Sequence, residues 1–167
     1  MVEKIYFDMD GVLADFEKGL QELCDINIDP QNKQILNNDD EMWMKIKEVD
    51  HFYDKLDPLP DAKKMFDKIY SSYPQKCEIL TGIPKPKRGI LTAGEDKISW
   101  IRRELSADIP INIVFREEKP RYCTGKGCIL IDDMKKNIKD WNNNGGTGIR
   151  HKSPENTLQI LMDMGLL

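Results

Sequence analysis

Apolar residues along this chain come in short unbroken runs, separated by longer stretches in which they recur every three or four positions. The runs are KIYF (4–7), CEIL (77–80), INIVF (111–115), CILI (128–131) and TGIR (147–150). Continuous rather than alternating runs predict parallel strands covered on both faces. Between them, residues 61–73, 94–106 and 134–144 have helical spacing. Residues 153–165 open with Ser153 as N-cap, Pro154 at the first helical position and Glu155 behind it, and end at Gly165 as a C-cap. Strand–helix alternation of this kind predicts a three-layer, Rossmann-like α/β core around a parallel sheet.

One segment breaks the rhythm. About 45 residues separate the first strand from the helix at Asp61, too many for a simple crossover. They contain FEKGLQELCDI (16–26), a polar stretch over 29–40, and EMWMKIKEVDHFYDKL (41–56), after which DPLPDA (57–62) returns to the main domain. The expected organisation is a core of residues 1–15 and 58–167 with a small helical cap, 16–57, inserted after the first strand. Trp43, Phe52 and Tyr53 of this cap are aromatic at near-helical spacing. They either fill its core or stack on a substrate base, a contact worth roughly 1–3 kcal/mol where it occurs.

Composition narrows the picture. The 167 residues are 40% hydrophobic, enough for one sizeable core, and the net charge of -4 argues against a nucleic-acid polymer as partner. No apolar run approaches the roughly 18 residues of a membrane span, and the N-terminus lacks a signal-peptide stretch. The four cysteines form no CxxC pair. They read as reduced thiols of a cytoplasmic protein.

The polar residues fall where a site would be built. Asp8 and Asp10 follow the first strand, Thr81 and Gly82 end the second, Lys119 follows the third, and Asp132 and Asp133 follow the fourth. Ligands of open α/β sheets bind outside the carboxyl ends of the strands. Residues two apart in an extended segment face the same side, so Asp8 and Asp10 can address one centre, and Gly11 permits the turn behind them. A set of carboxylates without histidine suits Mg²⁺, held by Asp8, Asp10 and one or both of Asp132 and Asp133, which offsets their mutual repulsion. Asp8 could then attack phosphorus, and Asp10 could move the protons. Thr81 and backbone N–H groups would hold the phosphoryl oxygens, and a lysine, Lys119 or Lys126, would balance their charge.

FDMDGVLADF resembles the first motif, D-x-D-G-[VT], of the haloacid-dehalogenase-like phosphohydrolases. ILTG is similar to their second motif and ILIDD to their fourth. Across residues 4 to about 151, DMDGVLADFE, HFYDKLDPLPDA, LTGIPKP, EKP and GGTGIRH resemble the 5'(3')-deoxyribonucleotidases of that superfamily. The resemblance implies a haloacid-dehalogenase-like core with a helical cap, Mg²⁺ dependence and dephosphorylation of nucleoside monophosphates. It makes Asp8 the nucleophile, Asp10 the acid/base with its carbonyl on the metal, and Thr81 and Gly82 phosphate-site residues. It further makes Lys119 the motif-three lysine, Lys85 a lysine near the phosphate, and Asp132 and Asp133 the metal-side acids. The chain departs from the pattern at Gly82, where the nucleotidases have serine, at Glu117, where a basic residue is common, and at Met134, which replaces an arginine. Two other readings stand beside it: a phosphatase of a sugar phosphate or other small metabolite, and a receiver-like domain that accepts phosphate on aspartate without an enzymatic role.

Overall fold

The computed structural model describes residues 1–28 and 40–167. Among them are five strands and six α-helices. The strands are β1 (Lys4–Phe7), β2 (Cys77–Gly82), β3 (Ile111–Val114), β4 (Cys128–Asp132) and β5 (Thr147–Arg150). All neighbours run parallel, in the order β3-β2-β1-β4-β5. The receiver arrangement is 2-1-3-4-5. The observed order therefore removes the receiver-like reading.

The unbroken apolar runs are explained by what covers each face. Ile5 and Phe7 point into the larger core with Phe66, Ile79, Trp100 and Ile131, whereas Tyr6 points the other way, to Leu80, Leu130 and Trp141. The larger core packs helices α3 (Ala62–Ser72), α4 (Ala93–Glu104) and α6 (Pro154–Asp163) against the sheet. The opposite face is covered by α5 (Lys135–Asn143) and by the 3-10 segment Arg116–Tyr122. At α6 the Ser153 side chain accepts from Asn156 N–H at 3.1 Å, Pro154 follows it, and Gly165 takes φ +69° just beyond the helix. These are the caps that the residue types predict.

Between β1 and α3 lie α1 (Phe16–Cys24), α2 (Asp40–Glu48) and a 3-10 segment, Phe52–Lys55. The Asp15 carboxylate caps α1 by accepting from Lys18 N–H at 3.0 Å. The polar stretch read at 29–40 lies, apart from Asp40, outside the described residues. Leu20, Met42, Ile46, Phe52 and Tyr53 join the larger core, and Trp100 Nε1 donates to Leu56 O at 2.7 Å. Phe52 and Tyr53 are 1% and 2% exposed, so burial leaves neither face free to stack on a base. Trp43 is half-buried, with the Arg88 guanidinium 5.8 Å from its ring centre and Arg88 paired to Asp40. No helix among the described residues is long and apolar enough to cross a membrane.

Candidate active site

The sheet order reverses between β1 and β4, and the crevice at their carboxyl ends is where ligands of such sheets bind. Asp8 leaves β1 still paired, its N–H donating to Ile131 O at 2.9 Å. The chain then turns sharply, with Leu13 N–H on Met9 O at 2.8 Å and Gly11 at φ +77°. A Cβ on Gly11 would collide with the Asp133 carboxylate. The glycine among the acids is required twice, by its backbone angle and by the closeness of Asp133.

Two buried lysines meet the acids. Lys119 Nζ lies 3.0 Å from Asp8 Oδ1 and 2.7 Å from Asp132 Oδ2. Asp132 Oδ2 also accepts from Asn137 Nδ2 at 2.9 Å, and its Oδ1 accepts from Met134 N–H at 2.8 Å. Lys97, on α4, donates to Asp10 Oδ2 at 2.6 Å, to Gly82 O at 2.6 Å and to Thr81 Oγ1 at 3.1 Å. Asp10 Oδ1 is buried and has no hydrogen-bond partner among the described residues.

The electrostatics are unbalanced. Asp8, Asp10, Asp132 and Asp133 face two ammonium groups, a formal deficit of two positive charges. Burial, opposed by Lys119 and aided by Asp132 and Asp10, raises the Asp8 carboxyl to about 6. Burial and then the charges of Asp8, Asp132 and Asp10 raise Asp133 to about 8. Lys119 is held above its ordinary value: burial works against its charge, but the carboxylates of Asp8 and Asp132 outweigh it. One oxygen each from Asp8, Asp132 and Asp133 lies within 4.8 Å of the others. A deficit of two and three convergent hard oxygen donors fit a divalent cation such as Mg²⁺.

The other residues singled out in the sequence are less evenly placed. Thr81 is fully buried beside Lys97. Lys126 precedes β4, so it stands at the opposite end of the sheet from the acids, and Lys119 alone of the two reaches them. Lys85 is largely exposed, paired to Glu117 and 4.2 Å above the Phe115 ring. Lys97 and Asn137 were not singled out by motif. Lys97 carried a signal nonetheless: it shares an i, i+4, i+7, i+8 stripe with Ala93, Trp100 and Ile101, where a lysine is out of place.

Comparison with known proteins agrees with the geometry. The family described as "5' nucleotidase, deoxy (Pyrimidine), cytosolic type C protein" matches residues 1–160. No curated protein sequence matches the chain. Among solved structures, the L-2-haloacid dehalogenase from Xanthobacter autotrophicus is similar at TM-score 0.54 and 13% identity, over 90% of this chain and 77% of that one. A hydrolase from Streptococcus pneumoniae TIGR4 is similar at TM-score 0.51 and 15% identity, over 96% and 98% of the two chains. A HAD hydrolase, family IA, variant 3, from Entamoeba histolytica is similar at TM-score 0.51 and 16% identity, over 97% and 89%. At such identities these structures speak to the fold alone. The family match spans nearly the whole sequence, and the chain, whose fold is haloacid-dehalogenase-like, belongs to this cytosolic type C 5'-deoxynucleotidase family.

Proposed function

We propose that the protein is a Mg²⁺-dependent 5'-nucleotidase that removes phosphate from (deoxy)nucleoside monophosphates through an aspartyl-phosphate on Asp8. The observation that carries this reading is the buried Asp8 carboxylate, 3.0 Å from Lys119 Nζ, at the head of a crevice short of two positive charges. Asp8, Asp132 and Asp133, with the backbone carbonyl of Asp10, would hold the metal. When bound, it supplies the positive charge that lets an anionic phosphate approach an anionic carboxylate.

The chain's own groups do the rest. An Asp8 oxygen attacks phosphorus, the bond from phosphorus to the ester oxygen breaks, and Asp10 gives its proton to that leaving oxygen. Asp10 then takes a proton from water as the water oxygen attacks the same phosphorus. The Asp8–phosphorus bond breaks, and orthophosphate and the free carboxylate are restored. Acid–base assistance of this kind contributes roughly 10²–10⁴-fold. Thr81 Oγ1 accepts from Lys97, which leaves its own proton to donate to a phosphoryl oxygen, and Lys119 balances charge on the others. Of the cap expected over 16–57, the described residues 16–28 and 40–57 serve to cover this crevice, with Trp43 as the available aromatic face. The free thiols of all four cysteines accord with a cytoplasmic setting.

A panel of nucleoside monophosphates and sugar phosphates, assayed with Mg²⁺ and with excess chelator, tests the reading. Nucleotides turn over fastest, chelator stops the reaction, and Asp8→Asn abolishes both turnover and the acid-stable trapping of phosphate on the protein. Best turnover on a sugar phosphate with nucleotides inert would transfer the assignment to the metabolite phosphatase. Unimpaired turnover in chelator would end it.

A further inference from the structure

Lys97 is a buried cation that the catalytic scheme above uses only at Thr81, although it also holds Asp10. Its side chain is 1% exposed, and its ammonium is enclosed on every side. Three acceptors take its three N–H groups: Asp10 Oδ2 at 2.6 Å, Gly82 O at 2.6 Å and Thr81 Oγ1 at 3.1 Å. The Tyr53 ring closes the remaining side, its centre 4.6 Å from Nζ. An ammonium has three donors and no acceptor. With all three committed to the protein, none is left for a phosphate oxygen, and this separates Lys97 from a substrate ligand.

The consequence lies in what Lys97 does to its two polar side-chain partners. Asp10 has two carboxylate oxygens, and Lys97 engages Oδ2, so Oδ1, which is buried and unpartnered among the described residues, is the oxygen left for a reacting group. Thr81 can only accept from an ammonium, so its hydroxyl proton is turned away from Lys97. One side chain on α4 therefore fixes the oxygen that Asp10 presents and the direction in which Thr81 donates, across the ends of β1 and β2. We infer that Lys97 is a positioning residue for the hydrolytic reaction, holding Asp10 so that a single oxygen, Oδ1, transfers the proton, and holding Thr81 as a donor. Tyr53, buried rather than base-facing, forms the roof that keeps water from competing for the ammonium. The catalytic part of this inference rests on the phosphohydrolase reading; the contact itself does not.

The test is a double-mutant cycle with an independent probe of the contact. Lys97→Met keeps the chain's length without its charge, and Lys97→Gln is the second variant should the first melt near the assay temperature. On the best nucleotide substrate, with saturating Mg²⁺, Lys97→Met is expected to lower kcat by about 10²-fold, the scale of acid–base assistance, and to move KM far less. In an Asp10→Asn background the same substitution is expected to lower kcat by much less than in the wild type, because only its hold on Thr81 is left to lose. A purely structural lysine would give losses that multiply. Multiplying losses, or wild-type kcat in the Lys97 variants, would overturn the inference.

The contact is read without turnover by ¹⁵N-lysine labelling. A buried, fully bonded ammonium gives a slowly exchanging Nζ resonance that Lys97→Met deletes and that Asp10→Asn and Thr81→Val each shift. A resonance indifferent to both substitutions also overturns the inference. Should the wild type hydrolyse no phosphomonoester, the nucleotidase reading falls, and this resonance still decides whether Lys97 holds Asp10 and Thr81.

Discussion

Asp132 has both carboxylate oxygens bonded, to Lys119 Nζ at 2.7 Å, Asn137 Nδ2 at 2.9 Å and Met134 N–H at 2.8 Å, whereas the adjacent Asp133 pairs with no basic side chain among the described residues. The two acids should then respond to substitution with opposite signs. Asp133→Asn removes one of four crowded carboxylates, so the metal-free protein melts higher than wild type, while its response to Mg²⁺ is lost. At Mg²⁺ about 100-fold above Kd, that response in the wild type is about 2.7 kcal/mol. Asp132→Asn breaks a buried pair and costs about 3 kcal/mol in the metal-free protein. Thermal unfolding of both variants, with Mg²⁺ and with chelator, checks the signs. A lower melting point for metal-free Asp133→Asn would mean that Asp133 is structural.

Glu117 occupies Lys85. The two are ion-paired at the rim, both largely exposed, and Glu117 lies below its usual carboxylate range because of that bond. Lys85→Ala should change KM by less than about threefold, as expected of an exposed pair. Glu117→Gln frees the ammonium beside an anion site, so KM for a phosphomonoester should fall. A large rise in KM for Lys85→Ala would show that Lys85 reaches substrate despite Glu117.

Gly82 has room for a serine hydroxyl. A Cβ there would meet the Arg116 backbone N at 3.6 Å and Cα at 3.7 Å, ordinary contact distances. Its carbonyl, which accepts from Lys97, is unaffected by a side chain. Gly82→Ser should therefore fold and add one donor beside Thr81. Inhibition by orthophosphate should tighten roughly fivefold, the worth of about 1 kcal/mol for a net hydrogen bond. An unchanged or weaker inhibition constant with an unchanged melting point would place the hydroxyl outside the phosphate site.

How much of this was legible in the sequence follows the physics of each element. The central strands β1, β2 and β4 announced themselves as nearly unbroken apolar runs because two separate cores, around Phe7 and around Trp141, draw side chains from both faces of the sheet. Asp8, Asp10, Thr81, Lys119, Asp132 and Asp133 were legible because strand ends converge on one edge of a parallel sheet. Lys97 was hidden by its chemistry: a lysine in a helical stretch reads as solvent face, and only its phase with Trp100 betrays it. The Lys85–Glu117 pair joins residues 32 apart, which local pattern cannot see. Whether Phe52 and Tyr53 served core or ligand depended on packing against Phe16 and Leu20, a property of the tertiary structure.

His151 provides the acid-side prediction. It follows β5, donates its N–H to Asp132 O at 2.9 Å, and has Nδ1 2.8 Å from Thr157 Oγ1, both side chains buried. Burial lowers its pKa from 6.5 to about 4. The unfolded chain therefore binds this proton more readily, and stability rises with pH through that window. The contribution is complete above pH 6.5 and is lost as pH falls toward 4. Asp8 and Asp133, raised to about 6 and about 8, push the metal-free protein the other way, so the informative quantity is a difference between variants. His151→Asn keeps an amide for Thr157 and carries no titrating group. Its urea midpoint should fall less than that of the wild type between pH 7 and pH 4.5, measured in the same buffers. Parallel curves for the two proteins would show that the acid sensitivity of the fold arises elsewhere than in this imidazole.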